Sequence, residues 1–175
     1  MKKLLLKKSF LFKLTVALFS FLVLFVLVVE KPGSTTPAKT MESRPLLFPR
    51  LRPEMVTHLI VTRPGGEKPQ AWRKNAQGWV FEGDTALGES LEALLGAIHT
   101  LKAEALVSKN PSKQNLFGVD PVSGLRVELW KDSKPLVDFY VGKNAGPSTD
   151  YVRLENSNDV FEASPALSPF LILLP

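Results

Sequence analysis

The sequence predicts an α+β domain, mostly antiparallel sheet with helix cover, preceded by one N-terminal transmembrane helix. Three observations carry this. The chain opens with MKKLLLKKSFLFKLTVALFSFLVLFVLVVE, in which Leu14 to Val29 bear no charge. Beyond residue 54, short β-branched or alternating segments follow one another with turn residues between them, the pattern of strands joined by hairpins. One segment among them changes to helical spacing, with Leu91, Leu94, Leu95, Ile98 and Leu101 on a single apolar stripe.

Residues 1–9 form a basic segment and residues 10–29 an apolar run broken only by Lys13. Twenty helical residues span about 30 Å, the hydrocarbon thickness of a bilayer. Lys2, Lys3, Lys7, Lys8 and Lys13 precede the uncharged run, so the positive-inside rule puts the N-terminus in the cytoplasm and the rest outside it. The expected location is the cytoplasmic (inner) membrane, single-pass, with a periplasmic or extracytoplasmic C-terminal domain and the lipid bilayer as first partner. A cleaved signal peptide is the competing reading. It would want a small-x-small site close behind the run. Val28-Val29-Glu30-Lys31-Pro32 follows instead, and Thr36-Pro37-Ala38 lies well downstream.

The formal net charge is +5. Five lysines and Glu30 in the first thirty residues supply +4 of it, leaving +1 for the remainder. The basic balance is therefore a topology signal, and no basic stripe suggests nucleic acid as a partner. There is no cysteine, which excludes disulfides and thiolate metal sites.

Residues 30–53 read as a proline-rich linker holding Pro32, Pro37, Pro45, Pro49 and Pro53. Leu46-Leu47-Phe48 interrupts it and can dock on the domain. Residues 54–175 form the extracytoplasmic domain. MVTHLIVT at 55–62 reads as a strand and RPGG at 63–66 as a turn. Gln70–Lys74 and Trp79–Glu82 are strands of a hairpin, followed by a helix with Ser90 or Asp84 as candidate N-cap. Glu104–Ser108 is a further strand, and residues 109–115 a polar loop. LRVELW at 125–130 alternates strictly, with Leu125, Val127 and Leu129 on one face. LVDFYV at 136–141 returns as its partner, with a loop at 143–147. Tyr151–Leu154 and Asp159–Ala163 make another hairpin before an apolar run from Pro165.

An echo runs through these elements. At an offset of eighty, Val80, Phe81, Glu82, Ala86, Leu87, Leu91 and Leu94 match Val160, Phe161, Glu162, Ala166, Leu167, Leu171 and Leu174 without a gap. This predicts an internal duplication of a β-β-β-α unit, with pseudo-repeats about 56–102 and 136–175. The competing reading is chance likeness between two hairpin-to-helix junctions.

Several short motifs recur along the domain: GWVF at 78–81, ALLGAIHTLKAEALVS at 93–108, LFGVDP at 116–121, FYVGK at 139–143, YVRL at 151–154 and VFEA at 160–163. Together they resemble the domain-of-unknown-function family 4340, over roughly residues 50–175. Phe117 and Val119 stand where that family's signature after the first helix has tyrosine and leucine. The resemblance implies a bacterial, membrane-anchored, extracytoplasmic protein, and some members accompany ABC transporters of the gliding-motility type. No catalytic residues are established for the family, so it supplies none here.

The residues offer little chemistry of their own. His58 and His99 are the only histidines; Gly88-Glu89-Ser90 lacks the nucleophile-elbow pattern of a Ser-His-Asp triad. Asp120, Asp132, Asp138, Asp150 and Glu128 could pair for glycoside hydrolysis, but turn and strand-face positions favour solvated carboxylates. No catalytic, cofactor-binding or metal-binding residue is assigned, and no cofactor is expected. Phe117, Asp120, Tyr151 and Arg153 are the candidate partner contacts. For Phe117 and Asp120 the structural alternative is a tight turn that seats the ring while Asp120 caps backbone. For Tyr151 and Arg153 it is a cross-strand pairing.

The expected function is a non-enzymatic accessory or scaffolding protein of an ABC-transporter-type envelope complex, with an ABC permease or related membrane protein as partner. The alternative is an envelope module binding glycan, peptide or small ligand.

Overall fold

The computed structural model describes residues 44–81, 84, 85 and 88–174. The expected transmembrane helix and residues 30–43 of the expected linker lie outside them. No helix among the described residues is long and apolar enough to cross a membrane.

Among the described residues the domain is built on nine antiparallel strands, β1 (His58–Thr62), β2 (Gln70–Asn75), β3 (Gly78–Phe81), β4 (Asp84–Thr85), β5 (Lys102–Ser108), β6 (Leu125–Lys131), β7 (Lys134–Gly146), β8 (Thr149–Leu154) and β9 (Val160–Ser164). Three short helices accompany them: α1 (Gly88–His99), α2 (Gln114–Phe117) and α3 (Ser168–Ile172). The sheet order among the described residues is β4-β3-β2-β1-β6-β7-β8-β9-β5. This bears out the α+β class and the mostly antiparallel sheet. Asp84 lies in β4 and Ser90 inside α1, so neither caps that helix.

One face of the sheet forms the core. Alternation places Leu59 and Val61 of β1, Trp72 of β2, Trp79 of β3, Val127 and Leu129 of β6, Phe139 and Val141 of β7, and Val152 of β8 on it. Leu91, Leu94, Leu95 and Ile98 of α1 complete it with Leu101, Leu167, Leu171 and Leu174. The last apolar run is thus only half inward: Ile172 and Leu173 remain exposed.

The folded body begins earlier than residue 54. The Pro45 carbonyl accepts from Ala103 N at 3.0 Å, and Leu47 N donates to the Leu101 carbonyl at 2.9 Å. Phe48 and Leu51 are buried in the core, and the Phe48 ring lies 5.0 Å from that of Phe139. Proline in residues 45–53 therefore marks a docked strap along the domain, because apolar side chains at 46–48 and 51 find a place to bury.

The loop expected at 143–147 is largely strand. β7 runs to Gly146 and keeps pairing with β8 through register shifts, Asn144 facing Asp150 and Gly146 facing Thr149. Such bulges let a strand continue through residues that break regular alternation.

The eighty-residue echo meets a geometric limit. β1, β2, β3 and α1 recur in order as β7, β8, β9 and α3. Both β1 and β7 pair antiparallel to β6, so they run parallel to each other on either side of it. Leu59 and Val61 face the same core as Phe139 and Val141. The two meanders then leave β6 in opposite lateral directions with the same face inward. No rotation maps one onto the other while preserving strand direction and core face. The likeness is one of sequence pattern and element order.

Candidate functional site: the Phe117–Pro121 turn on the outer sheet face

The opposite face of β7, β8 and β9 carries a second, smaller cluster. Val119, Tyr140 and Val160 are buried in it, with Phe117 and Tyr151 partly buried against them. The turn after α2 is what covers these strands. Gly118 closes α2 at φ 69, a left-handed conformation that a Cβ disfavours. Its N–H donates to the Asn115 carbonyl, and Val119 N donates to that of Gln114. The turn then lies directly on β7. A Cβ on Gly142 would stand 2.2 Å from the Phe117 carbonyl oxygen and 2.6 Å from Val119 Cγ1, so only glycine permits this approach.

Asp120 organises the turn. Its carboxylate accepts from Val122 N at 3.0 Å, from Ser123 N at 3.1 Å and from the Ser123 hydroxyl. The Ser123 hydroxyl and then these amides hold the Asp120 carboxyl below its ordinary range, against partial burial. Phe117 meets Tyr151 edge to face at 4.9 Å.

Arg153 lies beneath and is only 4% exposed. Its Nε donates to the Val119 carbonyl at 2.8 Å, and Nη1 reaches the carbonyls of Leu154, Glu155 and Ser157 at 3.0, 3.1 and 3.0 Å. The guanidinium carbon sits 4.4 Å from the Tyr140 ring centroid. Glu155 adds an ion-pair contact at 3.7 Å. Burial, followed by hydrogen bonding to Glu155, raises the Tyr140 phenol.

The four sequence candidates thus meet in one place but divide the work. Phe117 and Tyr151 pair their rings, Asp120 caps the turn, and Arg153 buttresses it from inside. Arg153 is not a surface contact, and its aromatic partner is the cross-strand Tyr140 rather than Tyr151. The side chains that do face solvent here are Leu116, 61% exposed, and Val122, 78% exposed. Sequence reasoning passed over both; their signal was an apolar residue on each side of a turn. Gly142 in the FYVGK motif was the available sign of a close approach.

Elsewhere on this face, Arg126 and Asp138 make a two-point pair at 2.9 and 2.6 Å. The carboxylate hydrogen bonds raise the Arg126 guanidinium further and keep it charged. Burial pushes Glu128 up, with Arg126 opposing from 3.6 Å. Asp150 caps α3 from a distance, accepting from Leu167 N at 2.7 Å and Ser168 N at 2.8 Å. Asp132 sits at the β6–β7 tip. His58 contacts Thr57 Oγ1 at 2.9 Å, and His99 Nδ1 donates to the Leu51 carbonyl at 2.8 Å. No group of three or more histidine or acidic side chains suited to a metal occurs among the described residues.

Fold and site together define a small antiparallel-sheet domain with a turn clamped on its outer face. The model of a family described as "Domain of unknown function (DUF4340)" matches residues 85–172, just over half of the 175-residue chain, and the chain belongs to that family. The match spans the clamped turn and β6 to β9. No curated protein and no solved structure matches this chain.

Proposed function

We propose that this protein is a single-pass, membrane-anchored accessory or scaffolding protein, non-enzymatic, whose extracytoplasmic domain docks on a membrane-protein partner of an ABC-transporter-type envelope complex. The observation that carries the docking role is the clamped turn. Leu116 and Val122 project into solvent from a segment fixed by Asp120, Gly142 and Arg153. Two exposed apolar side chains on a pre-ordered mount lose little freedom on binding, which favours association. The sequence supports the anchor through its charge-free run and the lysines before it. Membership of a family whose resemblance implies transporter association supports the class of partner.

The test is native purification of the full chain from solubilised membranes, with mass spectrometry of what accompanies it. A permease or ATPase is expected at stoichiometric yield from the wild type. Leu116→Glu with Val122→Glu should lose it while the protein still reaches the membrane. Recovery of the wild-type protein alone would remove the accessory role.

A further inference from the structure

A second surface lies at the far end of β7 from the clamped turn. The β6–β7 tip, Lys131 to Lys134, and the Gly142–Lys143 stretch under Gly118 are separated by about eight strand residues, roughly 25 Å. Beside the tip are two open hollows of about 540 and 320 Å³. Met55, Lys134 and Leu136 line both, so they form one continuous groove. Leu136, Met55 and Pro135 give it an apolar floor.

Four cations stand around it: Arg50, Arg52, Lys131 and Lys134. All four are exposed, and no hydrogen bond or ion pair engages their side chains among the described residues. Elsewhere on the body Arg44, Lys74 and Arg126 are paired, with Glu104, Glu92 and Asp138. Asp132 is the one acid in the groove lining, and its backbone N–H is tied down by Thr57 Oγ1 at 2.6 Å. Hence the tip is anchored while its charges stay uncommitted.

We infer that this groove rests on an anionic bilayer surface. An apolar floor ringed by long, unpaired cations matches the two requirements of interfacial binding, apolar burial and attraction to acidic headgroups. The hollows are open to solvent, and the long side chains around them can each reach a separate headgroup phosphate, the arginines by two N–H donors and the lysines by one ammonium. The inference rests on the membrane-anchored reading and adds an orientation to it: the β6–β7 tip faces lipid and the clamped turn faces away.

The absence of cysteine allows a clean test. Ser133→Cys in the full chain carries a nitroxide at the tip, and Lys113→Cys carries one beside the clamped turn. The chain is reconstituted in vesicles of phosphatidylcholine alone, or with one third phosphatidylglycerol. Accessibility to oxygen relative to a water-soluble nickel chelate reads lipid contact. At position 133 this ratio should rise severalfold with phosphatidylglycerol and fall back in 1 M salt, where charge attraction is screened. At position 113 it should stay aqueous throughout. Combining Arg50→Gln, Arg52→Gln, Lys131→Gln and Lys134→Gln should abolish the rise, with an unchanged melting curve as the folding control. A label at 133 that stays aqueous in both vesicles, or a rise that survives the four substitutions, overturns the inference. Flotation with neutral vesicles reports the anchor separately, so failure of the anchor and failure of the groove are distinguishable.

Discussion

Arg153 shows how one side chain can hold a surface together from below. Its guanidinium satisfies four backbone carbonyls, from Val119 and from the β8–β9 turn. Arg153→Met would fill similar space but leave the buried Val119 carbonyl, and the partly buried ones of Glu155 and Ser157, without this donor. The expected loss is about 3 kcal/mol, read by chemical denaturation. Glu128 and Asp120 show the two signs of carboxylate linkage. The folded pKa of Asp120 is lowered, so its contribution is present above its unfolded pKa, about 3.9, and is lost as pH falls through the folded value. That of Glu128 is raised by burial, so the fold is penalised as pH rises from its unfolded value, about 4.3, through the folded one. Glu128→Gln, with Arg126 still held by Asp138, should therefore raise the melting temperature at pH 7. The gain should vanish near pH 4. A gain that persists at pH 4 would exclude titration of Glu128 as its cause.

Among the elements, the strap at 45–51 forms neither helix nor extended strand, yet it places Phe48 and Leu51 in the core. Phe48 packs its ring against that of Phe139 in the main core. Phe48→Ala should cost about 3 kcal/mol by the usual penalty for truncating a buried ring, measured by thermal or urea unfolding. A loss below about 0.5 kcal/mol, the range of ordinary surface substitutions, would mean that the strap is not fixed on the body. Proline spacing made this segment read as linker, since composition reports local stiffness and not where an apolar side chain will bury. Alternation served better for β6, where Leu125, Val127 and Leu129 do share the inner face. It served less well for β7, because the KNAG stretch after Gly142 looks like a turn until the pairing of β8 is known. Arg153 was legible as a candidate but not as a buried one. A charged residue on a polar strand face reads as solvated unless something is known to lie over it, and what lies over it here is the distant turn at 117–121.

For the whole molecule, the class of fold was readable because strand and helix periods are local properties of the chain. Strand order was not, because it depends on which edges meet. β5 follows α1 in the chain but sits at the far rim of the sheet, with Leu106 opposite Phe161 of β9. That placement bears on how the protein is made. Apart from the bridge between Leu46 and Lys102, Lys102–Ser108 leaves the ribosome well before β9, the strand that pairs with it among the described residues. During synthesis the amide groups of β5 that face β9 must wait, solvated or shielded by another agent, while β6, β7 and β8 are added. Pairing that spans so much chain closes late and slowly. The sheet is thus sealed by β9, and a chain halted before that strand would present an unpaired strand edge of the kind that recruits neighbours and aggregates.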